Sequence, residues 1–505
     1  MKIKNKNIKI LLEKYKKISI LGNINATLGW DLNVNLPAKA SEGRAEQSAY
    51  VTKLIAEKWL EPEFKGLVED VGGSHFAKAA RDEAAIIRNI KRASKYYWNV
   101  PKEIIVEFSE TTSKAFMVWQ FAKRDNKFKD FLPHLKKVIK LNQIIAGHLG
   151  YEKNPYDALL DLYEPSLTAK ECELMFNSIQ PVLTKLLNKV TSSKNYVSDS
   201  ELLNGSVRYP QSDQKQLAQF ALRKMNYDLE AGRMDVSSHP FEEKLGKNDV
   251  RITGRFNETD FRDSFTAAMH ETGHALYEQG VNEDYSGTPL DGGVSLGIHE
   301  SQSRLWENII GRSKEFVQYM MPVFLTVYPE QLAKAGGDDI FRLFNLVKPS
   351  LIRVEADEVT YNLHIALRFE IENELINKKI KAEDLPEIWR EKMKKYLGIA
   401  PKTDREGVLQ DVHWSYGSFG YFPTYGLGNI YSAQILDAMR ETMCFHEKVK
   451  EGDFKTILNW LSKNIHRYGS RYSPEKLMER ATGKPLTVAS FNRYLLQKYS
   501  DIYNL

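Results

Sequence analysis

Residues 260–280 read DFRDSFTAAMHETGHALYEQG, with His270, Glu271 and His274 in the order H-E-x-x-H. On an α-helix, positions i and i+4 stack on one face, so two imidazoles at this spacing can hold one metal ion. Glu271 beside them can act on a water at the metal. The flanks favour a helix: Phe265, Ala268, Met269, Leu276 and Tyr277 recur at helical spacing, and Gly280 follows as a stop signal.

A catalytic metal of this kind takes three protein ligands and keeps one position open. Glu300 is the candidate for the third. It lies on a second amphipathic segment, between Ile298 and Trp306, with few charges before it. A carboxylate buried there needs a cation. Such a set polarises a carbonyl and acidifies water, while Glu271 takes the water's proton and passes it to the leaving amine. The oxyanion needs a donor opposite the metal. His413, Tyr416, Tyr421 and Tyr425, in a Gly- and aromatic-rich stretch over residues 407–429, are the candidates.

The elements that must position these groups read as mainly helical. Residues 44–60, 75–97, 103–125, 128–149 and 168–192 each carry apolar residues at three- and four-residue spacing. Breaks are expected at Pro37, Pro62, Gly72-Gly73, Pro101, Pro133 and Pro155, and residues 195–215 read as an exposed loop. Around residues 236–256 the habit changes. Val250, Ile252 and Phe256 alternate as on a half-buried strand, with a hairpin turn at residues 246–249. A strand just before the metal helix could offer a free edge to an extended peptide. Residues 314–395 read as helices broken at Pro322, Pro329, Gly336-Gly337, Pro349 and Pro386. Residues 407–429 read as a loop without helical period, and the chain is helical again from Ile430.

The 505 residues are 42% hydrophobic and 27% charged, ordinary values for a globular protein able to bury a large core. The two cysteines, Cys172 and Cys444, form no C-x-x-C pair and indicate no disulfide scaffold. Any metal must then be held by His and carboxylates. A net charge of +5 from 71 basic and 66 acidic residues, interspersed and without aromatic interleaving, argues against nucleic-acid binding. The basic N-terminus is interrupted by Lys9, Glu13, Lys14, Lys16 and Lys17 and reads as a first helix rather than a secretory signal. No apolar run reaches the ~18–20 residues of a membrane span, so a cytoplasmic protein with no membrane partner is expected.

Several segments resemble the carboxypeptidase Taq family of metallocarboxypeptidases. His239-Pro240-Phe241 is similar to its HPF element, and Asp249-Val250-Arg251-Ile252-Thr253 to its D-x-R-x-T element. His299-Glu300-Ser301-Gln302-Ser303-Arg304 resembles H-E-S-[EQ]-S-R. Ile352-Arg353-Val354-Glu355-Ala356-Asp357 resembles I-R-x-x-A-D, and residues 407–414 resemble G-x-x-Q-D-x-H-W. Trp30-Asp31 with Pro37, Arg44-Ala45-Glu46-Gln47 and Tyr156-Asp157-Ala158-Leu159-Leu160-Asp161 are similar to it too, so the matches run in order from about residue 30 to residue 430, and Gly254 is a minor departure.

The resemblance implies one peptidase domain over residues 1–505: a helical scaffold over 1–235, a catalytic core over 236–430 and C-terminal helices over 431–505. It implies a helical H-E-x-x-H body with a deep substrate groove and one small β-sheet beside the metal helix. It further implies a homodimer, one zinc or cobalt ion per chain, and release of single residues from peptide C-termini with broad specificity, sparing proline. An exopeptidase must bind a free carboxylate, which Arg does best as a bidentate donor. Arg353 is the first choice, against a structural pairing with Glu355 or Asp357. His239, Arg251, Tyr421 and Gln410 are counted with substrate binding, Gln410 and Asp411 chiefly by orienting neighbours, and His413 and Tyr425 with catalysis. A metallo-oligopeptidase cutting internally, or a silent scaffold around a structural metal, are the alternatives. Glu271 argues against the second, because a structural site needs no base.

Overall fold

The computed structural model describes residues 1, 3–72, 81–197 and 207–505. Part of the helix expected over 75–97, the Gly73 break and the middle of the loop expected over 195–215 lie outside the described residues. What is described is mostly helix around one three-stranded sheet.

Long helices build the first part: α1 (Lys6–Val34), α2 (Ser41–Leu60), α3 (Lys102–Asp125), α4 (Phe128–Leu149) and α5 (Ala169–Thr191). Thr168 and Glu171 cap α5 reciprocally, a capping box. Pro62 and Pro155 open helices, where the missing N–H costs nothing. Pro133 and Pro322, expected as breaks, lie inside helices instead. A proline there forfeits a backbone bond at about 3 kcal/mol. Burial of Phe131 and Leu135 around the first, and Met320 and Phe324 around the second, offsets it at roughly 1.5–3 kcal/mol per side chain.

Three strands follow: β1 (Met234–Val236), β2 (Glu242–Gly246) and β3 (Asp249–Gly254). The expected hairpin joins β2 to β3, with Asn248 in the left-handed region at φ 57°. The free edge expected on β3 does not exist. β3 is the central strand, paired antiparallel with β2 and parallel with β1, which sets Met234 opposite Ile252. A three-residue strand such as β1 is too short to show a period of its own, which is why the sequence hid it.

Beneath the sheet runs α6 (Phe261–Gln279), capped by Asp260 through the Arg262 N–H. It is buried almost all round, unlike a surface helix. Next come α7 (Leu296–Arg304), running on into a π-helical turn over Leu305–Ile310, and α8 (Glu358–Ile376). α9 (Phe422–Thr442) corrects the expected loop: residues 422–429 are its first turns. Pro423 starts the helix, and Gly426 and Gly428 serve close packing, with Glu300 against Gly428. One large apolar core joins α3–α9 to the C-terminal helices. A second, smaller one lies between α1, α2 and the segment Val281–Leu290. Cys172 and Cys444 are both free thiols. No described helix is long and apolar enough to cross a membrane.

Candidate active site

α6 and α7 cross where Gly273 meets Ser303. A Cβ on Gly273 would sit 2.7 Å from the Ser303 Cα and 2.8 Å from the Gln302 carbonyl oxygen. That close approach lets a side chain of α7 reach the histidines of α6. Ser295 caps α7 through the Ile298 N–H, and buried Glu164 accepts from Gly297 N–H and Ser295 O–H at the same end.

Ligand atoms of His270, His274 and Glu300 lie within 4.8 Å of one another. Glu300 Oε2 is 3.7 Å from His270 Nε2 and 3.4 Å from His274 Nε2. The outward atoms are taken. His270 Nδ1 is 2.8 Å from Glu307 Oε2, and His274 Nδ1 is 2.5 Å from His299 Nδ1. Arg304 Nε donates to the other Glu300 oxygen at 2.6 Å, and its Nη1 reaches Glu307. Arg312 donates to Glu307 as well. Two imidazole nitrogens and one carboxylate oxygen thus point inward while their reverse sides are anchored. Three such donors with an open fourth position suit a catalytic divalent metal.

The electrostatics agree. Burial disfavours charge on His270, yet the Glu300, Glu307 and Glu271 carboxylates overcome it and raise its pKa, the mark of a site that draws a cation. Burial and neighbouring imidazoles hold His274 down, to about 3, so it stays a neutral ligand, even though the Glu300 carboxylate works the other way. Glu271 is 7% exposed, and burial, with the Glu300 and Glu307 charges, pushes its carboxyl up to about 7 against the pull of His270 and Arg304. A base works best with a pKa near the operating pH.

A second cluster gathers around Arg353. Its partner is neither Glu355 nor Asp357. Asp357 caps α8 through Val359 and Thr360, whereas Arg353 Nε donates to Asp411 at 2.9 Å and its Nη1 to the Tyr361 hydroxyl at 3.1 Å. Arg368, fully buried, holds the other Asp411 oxygen. Two guanidinium groups therefore face one carboxylate. Arg353 also lies over the Tyr425 ring, 5.1 Å from its centroid.

His413 Nε2 is 3.2 Å from the Tyr425 hydroxyl, and its Nδ1 is buried without a hydrogen-bond partner among the described residues. Burial and Arg353 hold His413 down, to about 3. Tyr421 packs against both His413 and Tyr425, at 5.4 and 5.2 Å between ring centroids. Burial keeps the Tyr425 hydroxyl protonated and pushes Tyr421 up to about 12. His239 is held below its ordinary value by burial and then by Arg353, Arg255 and His270, so it sits within range of both clusters.

Gln410 and Arg251 are each bound to neighbouring groups. Gln410 has its amide fully engaged: Oε1 accepts from Arg353 N–H and Arg368, and Nε2 donates to Leu351 and Glu406 carbonyls. Arg251 grips Asp249 through Nε and Nη2 and stacks over Trp30, with no described contact to the Arg353 cluster. Sequence reasoning missed Glu307, Arg368, Tyr361 and Glu278. Glu307, seven positions after Glu300, and Glu278, four after His274, left a signal, each near the helix face of a candidate ligand.

A helical body with an H-E-x-x-H helix, a glutamate on the next helix and a small adjoining sheet defines a metallopeptidase of the helical H-E-x-x-H class. The carboxypeptidase Taq (M32) metallopeptidase model matches residues 10–499, and the chain belongs to that family; it is a metallocarboxypeptidase, a hydrolase of peptide bonds. It is 42% identical to thermostable carboxypeptidase 1 of Pyrococcus furiosus over 98% of this chain and 99% of that protein. It is 39% identical to thermostable carboxypeptidase 1 of Thermus thermophilus over 98% of each. Among solved structures, the Pyrococcus furiosus carboxypeptidase superposes with a TM-score of 0.93 at 41% identity, covering 98% of this chain and 99% of that one. The M32 carboxypeptidase of Deinococcus radiodurans superposes with 0.95 at 34% identity, covering 99% and 100%.

Proposed function

We propose that this chain, folded as one peptidase domain, removes single residues from the free C-termini of peptides, with Arg353 as the receptor for the terminal carboxylate. The observation that carries the reading is the charge around Arg353. One carboxylate, Asp411, serves two buried guanidinium groups, and Arg353 Nη2 makes no hydrogen bond among the described residues. A substrate carboxylate supplies what is lacking. Tyr361 spans the distance to the metal side: its hydroxyl accepts from Arg353, and Arg304, which holds Glu300, lies 4.4 Å over its ring centroid.

His270, His274 and Glu300 would hold the ion, and the donor set suits zinc, with cobalt as an alternative. When bound, the ion supplies an electrophile that polarises the scissile carbonyl and acidifies water. Glu271 takes a proton from the attacking water and delivers it to the leaving nitrogen. Tyr425, its hydroxyl oriented by His413, donates to the developing oxyanion. His413 Nδ1 and His239 bind the peptide, and Tyr421 walls it. Gln410 and Arg251 act on neighbours, Arg353 in the first case and Asp249 in the second. A homodimer and the sparing of C-terminal proline rest on family resemblance, and a cytoplasmic location on the two unpaired cysteines, which suit a reducing compartment.

A peptide ladder read by mass spectrometry tests the whole. Free-acid peptides should shorten one residue at a time, stop with chelator and resume with zinc or cobalt. A peptide ending in proline should resist. Internal cleavage, or equal cleavage of C-terminally amidated peptides, would overturn the assignment in favour of an oligopeptidase.

A further inference from the structure

The two histidines of the metal helix are anchored in different ways. His270 Nδ1 faces a carboxylate, Glu307, at 2.8 Å. His274 Nδ1 faces another imidazole nitrogen, His299 Nδ1, at 2.5 Å. The His299 Nε2 lies 3.1 Å from Glu278 Oε1, one helical turn beyond His274 on α6. Glu278 is itself held in place. Gly293 N–H donates to Oε1 at 2.7 Å, Lys244 Nζ donates to Oε2 at 3.1 Å, and Lys244 also pairs with Asp291.

An Nδ1···Nδ1 contact between two imidazoles holds a single proton, so one ring donates and the other accepts. Which one donates is decided at the far end. A carboxylate that already receives Gly293 N–H and Lys244 accepts only, so the His299 proton sits on Nε2. His299 Nδ1 then carries a lone pair. The shared proton belongs to His274 Nδ1, and the lone pair of His274 Nε2 is left facing His270 and Glu300. Reversal of any link would put a proton on His274 Nε2, where a ligand lone pair is needed.

We propose that Glu278 and His299 are positioning residues that fix the tautomer of His274 and thereby set the affinity of the site for its ion. The inference rests on the assignment of His270, His274 and Glu300 as ligands. Outer partners of this type are worth roughly 10–100-fold in metal affinity.

The test measures zinc affinity on chelator-stripped full-length protein by competition with a chromophoric chelator, alongside the thermal midpoint of the stripped protein. His299→Leu removes the acceptor and should weaken zinc binding about 10–100-fold. His299→Asn, whose Oδ1 can accept the His274 proton, should regain most of it. A role confined to packing would instead lower the midpoint of the stripped protein and leave affinity unchanged. Histidine nitrogen shifts of the zinc-loaded wild type give a reading that needs no folded variant: His299 should carry its proton on Nε2. A proton on His299 Nδ1, wild-type affinity in His299→Leu, or His299→Asn no better than His299→Leu would each overturn the proposal. A wild type that takes up no zinc would overturn the ligand assignment itself.

Discussion

Arg353 Nε donates to Asp411 Oδ1 at 2.9 Å, and the second oxygen of that same carboxylate is held by Arg368 at 2.6 Å. The pairing orients Arg353 without neutralising the cluster, since two guanidinium groups share one acid. Truncating a buried, hydrogen-bonded charge partner costs about 2–5 kcal/mol. Arg353→Ala should therefore lower kcat/KM on free-acid peptides by roughly 10²-fold or more, and leave slow cleavage of amidated peptides unchanged. Arg353→Lys should recover little, because a point charge does not reproduce the planar fork. Equal losses on free and amidated substrates would count against the receptor role.

Asp411→Asn probes the same relationship from the other side. It removes the one carboxylate bonded to both buried cations, and removing one partner of a buried ion pair costs about 3–5 kcal/mol. The variant should unfold at clearly lower denaturant than wild type, and its KM for free-acid peptides should rise as Arg353 loses its orientation. A denaturant midpoint equal to wild type would show that the charges are compensated elsewhere.

Glu271→Gln keeps shape and hydrogen bonding and removes the proton acceptor. The metal should still bind, because His270, His274 and Glu300 are untouched. Turnover should fall by about 10²–10⁴-fold, the range of general acid–base catalysis. Retained turnover with impaired folding would mean that Glu271 is structural.

Much of this site was legible as spacing. His270 and His274 declare themselves by a helical period, and Glu300 by standing on the next amphipathic segment. What spacing cannot carry is a partner from a distant element. Arg353 pairs with Asp411, not with the Glu355 and Asp357 beside it, because a short 3₁₀ turn over Arg353–Glu355 and the capping role of Asp357 direct the local acids elsewhere. Residues 422–429 read as a loop because glycine and aromatics have weak helix propensity. They fold as helix because close packing overrides propensity. β1 was invisible because three residues set no period, and with it went the free edge expected on β3.

Glu372 predicts a pH dependence of stability. Its carboxyl accepts from the Tyr156 hydroxyl, Trp414 Nε1–H and Gly420 N–H, tying the stretch around His413 to α8. Burial raises it to about 7 from an ordinary 4.5, the three donors and Arg368 only partly opposing. A raised carboxyl binds its proton more tightly in the folded state, so its contribution is fully present below about 4.5 and is lost as pH rises through about 7. The stability of wild type relative to Glu372→Gln should therefore fall between pH 5 and pH 8 in denaturant titrations. A difference that stays flat, or rises with pH, would contradict this.

Gly428 separates a glycine that packs from one that merely sits in a helix. A Cβ there would lie 2.3 Å from Glu300 Cγ, 2.6 Å from its Cβ and 3.0 Å from its backbone carbonyl carbon. Side-chain give cannot absorb this, since backbone is involved, so α9 must shift away from α7. Overpacking of this kind costs typically 1–3 kcal/mol, and here the displaced residue is the third candidate ligand. Gly66, within the helix Pro62–Val71, has open space where a Cβ would stand, with nothing within 4 Å. Gly66→Ala should therefore gain up to about 1 kcal/mol from helix propensity alone. Gly428→Ala should do the reverse: lower the thermal midpoint and also weaken zinc binding measured on the folded protein. If both alanines raise the midpoint, or if Gly428→Ala binds zinc as tightly as wild type, the close approach of α9 does not position Glu300.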